Sequence, residues 1–168
     1  MTTSYLASAR SPGLEGTYAG GVTRFASFVI DVLVIGLLFF VGGVVVEYVL
    51  SVLLRESVRL SESSVGGRVA LIVWAFLYCA YPLAVAGRTF GMAVVGVRAV
   101  RVDGSDLDTR HAIIRVLAFP LSFLVLGLGF VLILLRRDRR ALHDLIASTA
   151  VVYAWDARAA RLRFLLKR

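Results

Sequence analysis

The chain is poor in the residues that staple, coordinate or catalyse. It has one cysteine, two histidines, two tryptophans and three prolines in 168 residues. A single cysteine excludes an internal disulfide, and the place of Cys79 inside an apolar run marks it as a packing residue. His111 and His143 are far apart in sequence, and no Cys/His spacing suits a metal site. No nucleophile motif accompanies either histidine. The expectation is therefore a protein that is not an enzyme and holds no metal or cofactor. Acidic residues are also scarce, 11 against 19 Lys and Arg, for a net charge of +8. No basic stretch is interleaved with aromatics, so nucleic acid is not expected as a partner. No leader is evident, because the first apolar run is far longer than a signal peptide's apolar core.

Apolar residues are abundant. They make up 59% of the chain, and the mean hydropathy is +0.84. A soluble domain holds about 45–50% apolar residues even with glycine counted. Such an excess calls for an apolar solvent, which a bilayer supplies. The basic residues then flank the apolar runs and face anionic lipid headgroups.

Two runs are long enough to cross a membrane, which takes about 20 residues. Residues 25–54 exceed that length, with Arg24 at one boundary and Glu47 and Tyr48 at the other. Residues 69–86 are close to the minimum and contain Pro82. Residues 55–68 form the polar loop between them. A third run, 112–135, is interrupted by Pro120 and by Gly127 and Gly129, so it either spans or dips in and returns. If all three runs span, Lys and Arg divide 12 against 6 across the membrane. If the third returns, they divide 15 against 3, with the arm, residues 87–111 and the tail on one side. The positive-inside rule prefers the second split, a normal spanning length favours the first, and both topologies stay open. Either places the basic C-terminal tail in the cytoplasm.

Residues 94–104 alternate and end in Asp103-Gly104, which predicts a surface strand and turn leaning on the helices. Asp108 or Thr109 is placed to cap the next helix. Residues 142–155 are apolar but short. The fold expected is an all-α integral membrane protein with two transmembrane helices, a third span or re-entrant helix, and a short strand element. It divides into a mobile arm (1–16), a transmembrane domain (17–155) and a basic interfacial tail (156–168).

Asp31 is the sharpest single feature. It lies seven residues beyond Arg24 in an apolar helix, roughly 10 Å deeper at about 1.5 Å per residue. A charged aspartate near the centre of a lone helix costs on the order of 3 kcal/mol, so protonation, pairing or hydration is required. Arg24 and Arg115 are the candidate charge partners; the plainer reading of Arg24 is a boundary residue. Asp144, beside His143, is expected to pair with an arginine or cap a helix.

Together these residues resemble the RDD family of membrane proteins, named for one Arg and two Asp. The pattern reads Arg24, Asp31 and Asp144. Gly87-Arg88-Thr89-Phe90-Gly91 is similar to the family's Gly-x-Thr-x-Gly stretch, residues 97–104 to its strand ending in Asp-Gly, and Arg115 to an Arg of its third helix. The resemblance covers residues 17–153. Met92 stands where the family often has Lys, and Ser148 where Gly is usual. The resemblance implies a transport role, with cation/proton exchange for some relatives, or an accessory role in membrane complexes. Asp31, Arg24, Asp144 and Arg115 are then the ion-responsive residues of a multi-pass protein of the cell membrane. The alternative is a scaffold whose charges lock helices together. Two or three helices do not enclose a substrate path, so a homo-oligomer or a larger membrane subunit is expected.

Overall fold

The computed structural model describes residues 18–60, 64–124 and 139–154. The arm 1–16, the Gly127–Gly129 break, the second half of the third run and the tail lie outside these residues. The described chain is mostly helical with one small antiparallel sheet.

Helix α1 (Gly21–Leu54) has 34 residues, about 51 Å at 1.5 Å per residue. It begins beside Gly20 without a capping side chain and ends at Arg55 in the left-handed region, φ 54°. Beyond it the chain folds back, with the Leu60 amide donating to Glu47 Oε1 at 2.7 Å and the Val58 amide to Ser51 Oγ at 3.0 Å. Helix α2 (Val65–Ala86) starts four residues earlier than the apolar run, because Ser64 Oγ accepts from the Gly67 amide at 3.0 Å and caps it. Gly87, at φ 67°, closes it with its amide on Leu83 O at 2.9 Å. Both helices are long and apolar enough to cross a membrane, with window hydropathies of 2.8 and 2.1. Those windows are only 6% and 11% buried, unlike the core helix of a soluble protein. Their exposed leucines, valines and phenylalanines require lipid or a protein neighbour.

A short helix α3 (Phe90–Val94) leads into strand β1 (Val97–Arg101). The Asp103-Gly104 turn closes with the Gly104 amide on Arg101 O at 2.9 Å, Gly104 lying at φ 83°. Helix α4 (Thr109–Leu124) is capped by Asp108, whose Oδ1 accepts from the His111 amide at 3.2 Å. A one-turn helix α5 (Leu142–Ile146) precedes strand β2 (Thr149–Tyr153).

The strand β1 is where the alternation placed it, but its partner is not a neighbouring hairpin arm. β2 pairs antiparallel with it from Val97↔Tyr153 to Arg101↔Thr149. On β2's other edge lie Tyr18, bridged to Val152, and Ala19, whose amide donates to Val151 O at 2.9 Å. β2 is therefore flanked on both edges, and Ala150, Val151 and Val152 are almost wholly buried. That explains why 149–153 reads as a continuous apolar run rather than an alternating one. A strand pair this small is marginal alone. Here Val97, Val151 and Ala19 form a core with Met92, Val95 and Tyr153 packed against it.

Candidate functional site

The two family aspartates sit in separate settings. Asp144 is the third residue of α5, and its Oδ2 accepts from the Ala141 amide at 3.0 Å, fixing the start of that helix. Arg24 Nη1 donates to the same Oδ2, and Arg115 Nη1 donates to Oδ1. Arg115 also reaches Thr149 Oγ1 at 2.9 Å. Arg140 closes the far side, with Nε on Thr149 O at 2.9 Å and Nη2 on Asp144 O at 3.3 Å. One carboxylate thus ties α1, α4 and α5 together. Asp144 is wholly buried and Arg115 nearly so. Burial alone would raise the Asp144 carboxyl, but Arg115 and Arg24 outweigh it and hold the group well below the usual carboxylate range.

His143 packs under this cluster. Its Nδ1 lies 2.9 Å from Ser122 Oγ, its Nε2 lies 3.7 Å from Asp144 Oδ1, and its ring is 5.0 Å from that of Phe119. Burial pushes the imidazole down to about 3, so it is neutral at pH 7. Ser122 is fully buried and both Asp144 oxygens are occupied by guanidinium groups. The row Ser122–His143–Asp144 joins α4 to α5 as a polar seam.

Asp31 is 8% exposed and faces α2 and α3. Tyr78 Oη donates to Oδ1 at 3.0 Å, the Gly91 amide to Oδ1 at 2.8 Å, and Thr89 Oγ1 to Oδ2 at 2.5 Å. Thr89 Oγ1 also accepts from the Met92 amide at 3.2 Å, which caps α3. Gly91 is required by close approach. A Cβ there would lie 2.2 Å from Ser27 O and 2.8 Å from Asp31 Cγ.

The structure corrects the expected grouping. Arg24 and Arg115 are not the charge partners of Asp31, because each gives its Nη1 to Asp144 instead. The four residues form two sites, an ion-paired one at Asp144 and one of neutral donors at Asp31. Asp144 both pairs with arginine and organises a helix start. The residues missed in the sequence are Tyr78, Thr89, Gly91 and Ser122. For two of them a signal was present in the Gly87–Gly91 stretch: Gly87 ends α2, Thr89 caps α3 and binds Asp31, and Gly91 lets the backbones meet. Met92, in place of a cation, packs against two apolar clusters, one of Leu83, Ala99, Leu107 and Ala112 and one of Ala19, Val97 and Val151. Among the described residues no group of His, Cys, Asp or Glu is placed to hold a metal.

Two helices long and apolar enough to cross a bilayer, joined to a strand pair and a buried Arg–Asp–Arg cluster, suit a small helical membrane protein. The model of the RDD family matches residues 18–148, and the chain belongs to that family. It is similar to the uncharacterized protein YckC of Bacillus subtilis (strain 168), 40% identical over 73 residues that cover 40% of this chain and 48% of the relative. It is also similar to the uncharacterized protein YxaI of the same organism, 33% identical over 86 residues that cover 49% of this chain and 55% of the relative. The chain spans about half the length of these curated relatives. No solved structure matches it.

Proposed function

We propose that the chain is a transporter or a transport-associated subunit, with Asp31 as its proton- or cation-responsive group. One observation carries this reading. Asp31 is a buried carboxyl in a membrane helix, and the donors on it are a phenol, a hydroxyl and a backbone amide, none of which carries charge. A proton or a small cation supplies the missing charge, and its arrival and departure change what the surrounding donors hold. Arg24, Arg115 and Asp144 then act as a fixed frame for that site. In the same proposal the protein is multi-pass in the cell membrane, its basic tail faces the cytoplasm, and a second copy or a larger subunit covers the exposed helix faces.

A scaffold reading is favoured by the same hydrogen bonds, which staple α1 to α2 and α3. Asp31→Asn separates the two. An asparagine Oδ1 keeps Tyr78 and Gly91, and its amide nitrogen can donate to Thr89 Oγ1, so stability should stay within about 1 kcal/mol. Transport by Asp31 predicts an intact melt in detergent and loss of proton-coupled cation flux in liposomes. Flux that persists in the Asn variant removes Asp31 from transport. Absence of flux in the wild type leaves the scaffold reading.

A further inference from the structure

Among the described residues Asp144 is the carboxylate that Arg24 and Arg115 share, and Arg24 keeps donors to spare. Its Nη1 is spent on Asp144, yet its Nε and Nη2 are buried without any hydrogen-bond partner among the described residues. These two nitrogens form the side-on edge of the guanidinium, whose parallel N–H groups match two oxygens of one oxyanion. Buried donors of a charged group are rarely left unmet, so a missing acceptor is implied. The whole Arg24 side chain keeps 10% of its surface exposed, so it is not sealed from the outside.

The surroundings favour an anion. Helix α1 begins with no capping side chain and no acidic residue in its first turn. Arg24 lies in that turn, and helical side chains tilt toward the N-terminus, where the dipole is positive. Arg139 comes to the start of the same helix, its Nη1 being 3.7 Å from where a Cβ on Gly20 would sit. Arg115 and Arg140 stand behind, on Asp144 and Thr149. Arg24 thus stands at one end of a membrane-length helix.

We propose that the Nε/Nη2 edge of Arg24, with Arg139 and the start of α1, is a binding site for a phosphate oxyanion. A tetrahedral phosphate offers one oxygen pair to the Arg24 edge and a further oxygen to Arg139, which a planar carboxylate does not. The source is either the headgroup of an anionic phospholipid or free phosphate. The site does not depend on transport by Asp31.

The test uses the full chain purified in detergent and melted with dioleoyl phosphatidylglycerol, with inorganic phosphate, or with chloride at matched ionic strength. Wild type is expected to be stabilised by a phosphate-bearing probe beyond chloride. The probe that acts at the lower concentration names the source. Arg24→Lys keeps a cation for Asp144 but lacks the side-on edge. It should need roughly tenfold more probe or worse, the loss of one hydrogen bond to a charged group. Where Arg24→Lys does not fold, Arg139→Gln, at an exposed position, carries the test and should shift the midpoint severalfold without altering the ligand-free melt. A lysine variant that responds like wild type overturns the proposal. So does an unshifted Arg139→Gln, or a phosphate response no greater than that to chloride.

Discussion

Asp31 and Asp144 are both buried, but the chain surrounds them with different chemistry. Asp144 receives two guanidinium groups and lies at the junction of α1, α4 and α5. Asp31 receives two hydroxyls and an amide and lies where α1 meets α2 and α3. An ion-paired carboxylate is expensive to alter, because its partners are stranded when it goes. A carboxyl held by neutral donors strands no buried charge when its own charge changes. The first suits a lock, and the second is where the proposed cycling of charge falls.

The largest expected effect is at the lock. Asp144→Asn should cost about 3–5 kcal/mol, since two buried arginines lose their counter-charge. A thermal melt in detergent measures it, and a melt unchanged from wild type would erase the contrast between the aspartates. Replacing Arg24 and Arg115 by Met together with Asp144→Leu should restore much of the loss, because no charge is then left buried alone.

Next comes the approach of α3 to α1. Gly91→Ala brings a Cβ within 2.2 Å of Ser27 O, and the required backbone shift should cost about 1–3 kcal/mol. It should also pull the Gly91 amide from Asp31, so the stability loss and any flux loss should appear together. A variant as stable as wild type would mean that α3 is free to move.

Acid provides a third comparison. His143 is neutral in the fold, with its imidazole lowered to about 3, while the unfolded side chain titrates near 6.5. Between those values the unfolded state binds the extra proton, so stability falls as pH drops, by about 1.4 kcal/mol per pH unit below roughly 6.5. Asp144, also lowered, contributes stability that is fully present above the unfolded value of about 3.9 and is lost as pH falls toward its folded value. Both act in the same direction, with His143 acting first. Melts from pH 7 to 5 should slope downward in wild type and much less in His143→Gln. An equal slope in both would assign the acid response to another group.

The smallest effect has the opposite sign. Ser148 sits at φ 50°, in the left-handed region that glycine occupies without strain. Ser148→Gly should therefore raise stability by about 1 kcal/mol, and a lower melting temperature would show that the serine side chain has a use there.

Much of this arrangement was legible in the residues. The two long helices follow from apolar runs that no water-facing helix could carry, and the Asp103-Gly104 turn and Asp108 cap follow from local turn and cap chemistry. Asp31 stood out because a charge in an apolar run demands an explanation. The pairing did not follow, since Arg24 and Asp144 are 120 residues apart. Sequence spacing favours the nearer Arg24–Asp31 pair, and only the packing of α5 against α4, with Arg24 reaching across from α1, overrides it. Strand β2 was hidden for a related reason. A segment buried on both faces shows no alternation, so 149–153 looked like the rest of its apolar run.

The same 120-residue gap sets an order of events during synthesis. At about 5–20 residues per second, Arg24 emerges roughly 6 to 24 s before Asp144. Through that interval Arg24 lacks the carboxylate that it pairs with in the finished fold. A nascent chain halted before Asp144 therefore leaves Arg24 and Arg115 without the carboxylate that joins α1 to α4 in the finished fold.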